Sequence, residues 1–464
     1  MPGAGLRCLC GSLVTSRWVV PASVVLLLAT HAGLLAWSAT RHSPTLNEPG
    51  HLVAGLSHWT LGRFEVYCVN PPLVHYVAAI PVIAAGYNED WSRFRDSPGA
   101  RSEFELGWDF IKANGPRSIW LFTMARWACI PFSLIGGLFC FFWSRELWGS
   151  SLAGLISLTL WCFDPNILAH GELVTSDCAA SALGLGAGYF FWRWLKHPAW
   201  GRALAAGAMM GLALLTKTSW IILFGLWPAL WICWVLMEWR MRPGHASSVD
   251  SEPARADLPS TSILHQSGQL GCLLLLALYL VNLGYGFAGS LTLLKDFTFV
   301  SKALTGLSKA GMPGNRFQDS WLGDVAVPVP RSFLQGIDLQ KKDFEDYGQP
   351  SYLRGEWKAG GWWYYYLYGL AVKVPHGSQL ILVLALFTLI YYRRRSPARS
   401  VAAVEVAGFT ATPGDLVVLL VPAMAVLVLI SSQLEFNHHI RYALPVLGFG
   451  YVFAGIVGRW FSDG

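Results

Sequence analysis

The feature that most constrains this chain is a series of apolar runs of about 20 residues, which recur along most of its length. A helix needs about 20 apolar residues to cross a bilayer, so these runs are long enough to span. Only 13% of the 464 residues are charged, about half the share found in an average soluble domain. The sequence therefore predicts an all-α, polytopic membrane protein. The low charge disfavours an ordinary soluble enzyme, and the composition excludes a disordered chain, a collagen-like fibre and a disulfide scaffold.

About ten runs are predicted to span the membrane, and the basic residues indicate their orientation. An N-in, C-in arrangement places Arg393, Arg394 and Arg395 in the cytoplasm, as the positive-inside rule requires. It also requires that the shorter apolar run 71–86 does not span. The predicted spans lie at approximately 17–38, 118–143, 150–168, 178–195, 203–217, 219–237, 270–289, 377–392, 414–432 and 442–460. The pair 203–217 and 219–237 is read either as a tight hairpin or as one broken helix.

The loops between these spans belong to a single transmembrane domain, 1–464. On this topology two long loops, 39–117 and 290–376, are extracytoplasmic, and we expect interfacial helices in both. The aromatic block 362–366 suits the level of the lipid headgroups. Segment 238–269 is predicted to be a cytoplasmic linker because its centre is rich in Pro, Ser and Asp. The net charge of +6 is modest and no basic patch interleaves with aromatic residues, so nucleic acid is not an expected partner.

Charged and imidazole side chains cluster at one face of the predicted membrane, the extracytoplasmic face. Such groups are costly at a membrane, so they indicate function. Simpler interpretations exist, because acidic residues stabilise helix N-termini and basic ones extend along apolar stems to reach water. Two adjacent histidines are poorly spaced for a metal pair on one helix, and metal ligands stay unassigned. The cluster comprises Glu48, Arg126, Asp177, Lys217, His438, His439 and Arg441.

Short motifs in a fixed order, spread over about 40–460, carry a resemblance to a known family. They are Asn47-Glu48-Pro49-Gly50-His51, Asn70-Pro71-Pro72-Leu73, Arg126, Ala169-His170-Gly171, Thr175-Ser176-Asp177, Gly211 to Lys217, Lys373-Val374-Pro375 and Arg441-Tyr442-Ala443-Leu444-Pro445. In this order they resemble polyprenyl-phosphate-sugar-dependent glycosyltransferases of the GT-C superfamily. The resemblance is to the protein O-mannosyltransferase-like group, glycosyltransferase family 39-like.

The resemblance implies a GT-C-like fold and an enzyme. It would transfer a sugar, with inversion, from a polyprenyl-phosphate donor in the bilayer to a hydroxyl of a protein, lipid or glycan acceptor. Glu48 would take the acceptor proton, and Asp177 would be a second carboxylate. Cations would hold the leaving phosphate, and a divalent cation, Mg²⁺ or Mn²⁺, could be bound through oxygen ligands. The implied phosphate-binding residues are Lys217, Arg441, Arg126, His438 and His439. Supporting positions in the motifs are Asn47, His51, Asn70, His170, Lys373 and Tyr442.

Asn47 is a departure from the family pattern, because many members carry Asp at this position and an amide cannot accept the proton. Either Glu48 is the base, or the chain is a catalytically inactive GT-C-fold scaffold. A transporter or flippase for a lipid-linked or anionic substrate is a further alternative, although no internal repeat supports it. The family implies a multi-pass protein of the bacterial inner membrane with its active site on the extracytoplasmic side. The sequence leaves the sugar, the acceptor, the lipid length and the oligomeric state open.

Overall fold

The computed structural model describes residues 17–241, 262–395, 411–434 and 437–461. Within these ranges helices dominate, and one small antiparallel sheet pairs β1 (Ser351–Leu353) with β2 (Glu356–Lys358). The all-α prediction is confirmed.

Long apolar helices are separated by shorter ones, several of which lie in the two long loops. In chain order they are α1 (Val19–Ser38), α2 (Glu48–Thr60), α3 (Leu73–Ala85), α4 (Glu103–Asn114), α5 (Arg117–Trp148), α6 (Ser151–Phe163), α7 (Pro165–His170), α8 (Ser176–Lys196), α9 (Trp200–Leu214), α10 (Leu223–Met241), α11 (Ile263–Gly284), α12 (Lys302–Thr305), α13 (Arg331–Glu345), α14 (Tyr365–Lys373), α15 (His376–Arg395), α16 (Pro413–Ser431) and α17 (Leu444–Ala454). Short 3₁₀ turns include Thr218–Ile222 and Ile440–Ala443.

Six helices in the described ranges are long and apolar enough to cross a membrane, or seven if the bent pair α14 and α15 is one span. The prediction of ten spans is therefore not confirmed. The difference lies mainly at 150–168, 178–195 and 203–217. The first of these runs breaks into α6 and α7, while α8 is buried on nearly all sides. Because a helix surrounded by other helices does not face lipid, small and polar residues are tolerated there.

The run 71–86 forms α3, a helix of 13 residues that packs between α2 and α5. It is short for a span, since a helix rises about 1.5 Å per residue and the hydrocarbon core is about 30 Å thick. The two long loops contain α2 to α4 and α12 to α14. Helices were expected in both loops. The predicted linker 238–269 is helical at both ends, because α10 reaches Met241 and α11 begins at Ile263; 242–261 lies outside the described residues.

Helix α8 is the centre of the bundle. It packs against α5, α9, α16 and α17, and tryptophan side chains fill the space around it, with Trp143, Trp161 and Trp194 fully buried. The N-terminus of α8 points towards the loop elements, while its C-terminus carries Arg193 and Lys196 at the other end of the bundle. Residues in the first turn of α8 are therefore held rigidly against whatever the loops bring there.

Candidate active site

Asp177, in the first turn of α8, lies between two cations. Lys217 Nζ donates to its Oδ1 at 2.5 Å, and Arg441 Nε lies 3.2 Å from its Oδ2. Lys217 reaches it because α9 ends at Leu214 and the chain is extended at Lys217 before the turn Thr218–Ile222. Arg441 stands in the turn that precedes α17. The break between the runs 203–217 and 219–237 thus places a lysine at the site.

Tyr442 completes this group. Its ring faces Lys217, with Nζ 4.5 Å from the ring centroid, which is close enough for a cation–π contact. Asn70 accepts a hydrogen bond at 3.0 Å from the hydroxyl of Ser176, the residue before Asp177. Ordered neighbours of this kind fix the positions of the charged groups before any ligand binds.

A cavity of about 140 Å³ opens over these residues. Its walls combine the two long loops with the ends of α8 and α9. Eight of the residues singled out in the sequence line it: Asn47, His51, Asn70, Asp177, Lys217, His439, Arg441 and Tyr442. The lining residues include three cations and only two carboxylates. The cations are Arg101, Lys217 and Arg441, and the carboxylates are Asp177 and Asp343. The cavity is thus suited to an anionic ligand.

Glu48 and Arg126 are placed differently from the prediction, because they form a buried pair that does not line the cavity. Arg126 donates from Nε and Nη2 to the two carboxylate oxygens of Glu48, at 2.8 and 2.7 Å. The backbone N–H groups of Thr45 and Val174 donate to the same two oxygens. Burial alone raises the pKa of Glu48, but the Arg126 guanidinium and these N–H groups lower it more, so the pKa lies below its usual value.

The remaining donors of Arg126 are also occupied. They bind the backbone carbonyls of Ala39, His42 and Ser43, so the guanidinium fixes the chain between α1 and α2. In this arrangement neither Glu48 nor Arg126 presents a free group to a ligand. We call the Glu48–Arg126 pair the clamp, because it fixes the chain beneath the site. This structural role accounts for the acidic motif.

The other sequence-predicted residues lie around the cavity without all reaching it. His439 lines it, and burial together with the nearby Arg441 charge lowers its pKa to about 4. His438 instead packs on Tyr347, with ring centroids 4.6 Å apart. The carbonyl of Lys373 accepts from the Asn166 amide at 3.1 Å. His170 ends α7 and is not among the lining residues.

Several lining residues were missed in the sequence. Arg101 donates to Glu103 at 2.6 Å and to Asp343 at 2.7 Å, and so connects the first long loop to α13 in the second. Gln340 of α13 accepts from the Thr218 hydroxyl at 2.9 Å. Gln340 and Asp343 are three apart on one face of an amphipathic helix, which is a signal for a buried face but not for a site.

An apolar groove of about 570 Å³ adjoins the cavity, because both are lined by Leu46 and Phe104. Pro49, Trp108 and Ile119 form much of the rest of its wall. Trp108 and Ile119 are at least half exposed. Among the described residues, no group of three or more His, Cys, Asp or Glu side chains is arranged to hold a metal ion.

Comparison with known proteins gives one family match and two similar solved structures. Residues 100–286 match the family described as dolichyl-phosphate-mannose-protein mannosyltransferase, PMT. A crystal structure of ArnT from Cupriavidus metallidurans bound to undecaprenyl phosphate is 15% identical, with a TM-score of 0.49, over 96% of this chain and 60% of that chain. ArnT from the same organism in the apo state is 14% identical, with a TM-score of 0.35, over 95% and 76%.

This chain thus spans about 60% of the length of the first ArnT structure. No curated protein matches significantly. The matched segment 100–286 contains Arg126, Asp177 and Lys217, three of the residues on which the family resemblance was based. The match confirms that the chain resembles the PMT-like glycosyltransferases of the GT-C superfamily.

Proposed function

We propose that this chain is a membrane glycosyltransferase that moves a sugar from a polyprenyl-phosphate donor to an acceptor hydroxyl, with inversion. The observation that carries the proposal is the Asp177, Lys217 and Arg441 group inside a cavity that adjoins an apolar groove. The PMT family match, which includes Asp177 and Lys217, supports the same function.

The cations suit the phosphate of such a donor. A sugar phosphodiester has one negative charge, and the phosphate that leaves has two, so cations stabilise the transition state more than the ground state. Arg441 offers a planar fork to phosphate oxygens and Lys217 a point charge. Asp177 orients both cations from a rigid helix end, and we assign it that role in the site.

The adjoining groove suits the lipid part of the donor. A polyprenyl chain is purely apolar, and the wall formed by Leu46, Trp108 and Ile119 would shield it from water. The donor would then lie with its chain in the groove and its phosphate against Lys217 and Arg441. The protein, lipid or glycan acceptor would enter the cavity from the loop side.

The charge distribution along α8 supports an extracytoplasmic site, and we propose that the membrane is the inner membrane. Asp177 lies in its first turn, and Arg193 and Lys196 lie in its last. Short basic segments favour the cytoplasmic side, so the opposite end of the helix, with the cavity, would face outward. The two long loops that cover the cavity would be extracytoplasmic as well.

Lys217→Ala tests the donor site, with Lys196→Ala as a matched control. Both lysines bind an aspartate, Asp177 in one case and Asp415 at 2.9 Å in the other, but at opposite ends of α8. The protein in lipid nanodiscs is incubated with dolichyl-phosphate [³H]mannose and with a panel of labelled undecaprenyl-phosphate sugars, and sugar release is measured. We expect Lys217→Ala to lower the rate by about 10²–10³-fold and Lys196→Ala to leave it unchanged.

Each further outcome is informative. Release that stops with EDTA and returns with Mg²⁺ or Mn²⁺ would establish a divalent cation requirement. Donor binding without any release, with acceptors supplied, would favour the inactive scaffold. Absence of binding to every donor would contradict the proposed function and lead to transport assays.

A further inference from the structure

Three buried histidines form an unbroken chain that starts at the cavity. His51 Nδ1 lies 2.8 Å from His75 Nε2, His75 Nδ1 lies 3.2 Å from His58 Nε2, and His58 Nδ1 lies 2.7 Å from the carbonyl oxygen of Arg63. His51 lines the cavity, and all three side chains are nearly inaccessible to solvent. The chain therefore connects the site to the loop after α2.

Helices α2 and α3 build this chain. His51 and His58 are seven residues apart on α2, so they lie on one face of that helix, and His75 reaches between them from α3. Gly55 makes the approach possible, because a Cβ at this position would lie 2.2 Å from the carbonyl oxygen of His75. The aromatic neighbours Tyr67 and Phe64 pack against the first and last imidazoles.

The carbonyl at the end of the chain fixes the direction of every hydrogen bond. A carbonyl oxygen only accepts hydrogen bonds, so neutral His58 must carry its proton on Nδ1. Its Nε2 is then bare, that is, unprotonated. His75 must then donate from Nδ1, which leaves its own Nε2 bare, and His51 must donate from Nδ1 to that nitrogen. It follows that the Nε2 of neutral His51 is unprotonated and carries a lone pair. No described residue donates a hydrogen bond to this nitrogen.

The two carboxylates that line the cavity are already engaged with cations, since Asp177 binds Lys217 and Arg441 and Asp343 binds Arg101. Glu48, which does not line the cavity, binds Arg126. The other lining imidazole, His439, is not part of the histidine chain. Burial and the nearby Arg441 charge lower the pKa of His51 to about 3, so this imidazole is neutral in the donor-free protein. A bound phosphate would offset the Arg441 charge and so make His51 a stronger base once the donor is in place.

Building on the proposed function, we propose that His51 is the general base, and that His75 and His58 are positioning residues that hold it in the required tautomer. The acceptor hydroxyl gives its proton to His51 Nε2 while its oxygen forms a bond to the anomeric carbon. The bond from that carbon to the phosphate oxygen breaks, and its electron pair leaves with the phosphate. Charge balances, because a phosphodiester with one negative charge becomes a monoester with two as the imidazole gains one positive charge.

Two substitutions of His51 test the base role. His51→Asn places an amide near the position of Nδ1 and so keeps the contact to His75, whereas His51→Gln places its amide near the position of Nε2. Neither amide can take a proton. With water as acceptor, we expect both variants to release sugar about 10²–10⁴-fold more slowly than wild type. Equilibrium binding of the labelled donor should be unchanged. Wild-type release by His51→Gln would overturn the base assignment.

Two substitutions of His58 test the positioning role from outside the cavity. His58→Phe removes the group that fixes the direction of the chain, and we expect slower release without loss of donor binding. His58→Gln can donate to the Arg63 carbonyl and accept from His75, so it should recover most of the rate. Equal rates of sugar release in His58→Phe and wild type would overturn the positioning role. An equal loss of rate in His58→Phe and His58→Gln would also overturn it, because it would show that His58 contributes only packing.

The tautomer is measured independently by ¹⁵N NMR of histidine-labelled protein in nanodiscs. Signals lost in His51→Asn identify His51, and protonated and bare ring nitrogens differ in ¹⁵N shift. We expect a bare Nε2 in wild type and a mixed tautomer in His58→Phe. A protonated Nε2 in the donor-free wild type would overturn the inference even where sugar release is normal. Absence of release by the wild type with a bare Nε2 would instead contradict the proposed function.

Discussion

The buried pair of Glu48 and Arg126 shows how a single residue can be conspicuous in a sequence for a structural reason. An acid directly after a membrane helix suggests a base, but here the side chains of both residues are almost completely inaccessible to solvent. Each carboxylate oxygen accepts from the guanidinium and from a backbone N–H. The pair holds the start of α2 against α5, and the next residues of α2 include His51.

Glu48→Gln should therefore destabilise the protein, because it leaves the Arg126 charge buried without a counter-charge. We expect the free energy of unfolding, measured by SDS titration with Trp fluorescence, to fall by about 3–5 kcal/mol. Glu105→Gln is the control, since its partner Arg95 is exposed and such a pair contributes about 0–1 kcal/mol. Equal stability of the two variants would show that the clamp contributes little.

The same pair predicts a pH dependence. The pKa of Glu48 is lowered in the folded protein. Its stabilisation is therefore complete above the unfolded value of about 4.3 and is lost as pH falls through the lower folded value. Wild type should lose stability over that acid range, and the difference from Glu48→Gln should narrow. A constant difference down to the lowest pH at which the protein is soluble would contradict this.

At the scale of elements, helix α13 covers the cavity because it has a glycine, Gly336, where it packs on the first long loop. A Cβ on Gly336 would lie 2.0 Å from the carbonyl oxygen of Cys68, so the helix packs directly on the first long loop. Gln340 and Asp343 follow at four and seven residues on the same face and line the cavity. The glycine thus sets the distance at which both side chains reach the site.

Gly336→Ala should push α13 outward. We expect a loss of about 1–3 kcal/mol in unfolding free energy from overpacking, and slower sugar release because Gln340 and Asp343 move from the cavity. Gly271→Ala is the matched control, since it is also helical but has no atom within 4 Å of the added methyl group. That variant should keep its activity and gain a little stability from helix propensity. Unchanged release by Gly336→Ala would show that α13 does not position the site.

The sequence predicted those parts of the site that depend on local chain direction. Asp177 at a helix start, Lys217 at a break between apolar runs and Arg441 before the last helix were expected at one membrane face, and the structure brings them within contact. The Glu48–Arg126 clamp and the histidine chain depend on how α2 approaches α3 and α5. Spacing along one helix does not encode such an approach. Gly55 and Gly336 allow close packing, but the sequence does not indicate which segments pack against them.

At the scale of the whole molecule, all proposed roles depend on which side of the membrane the cavity faces. The long loop 290–376 carries α13 over the cavity, while the C-terminus of α8 and His197 lie at the far end of the bundle. The polyprenyl-phosphate donor and the extracytoplasmic acceptor that we propose require the cavity to open outward. The charge pattern predicts this orientation, with the basic end of α8 in the cytoplasm.

Cysteine labelling in intact cells measures this orientation. Lys309→Cys places a thiol on the exposed surface of the long loop, and His197→Cys places one on the exposed surface at the opposite end. A membrane-impermeant maleimide should label Lys309→Cys at once and His197→Cys only after permeabilisation, with wild-type labelling subtracted because Cys68, Cys233 and Cys272 are partly accessible. The reverse pattern would place the cavity in the cytoplasm. The donor would then have to present its sugar on the inner leaflet, and the acceptor would be sought there.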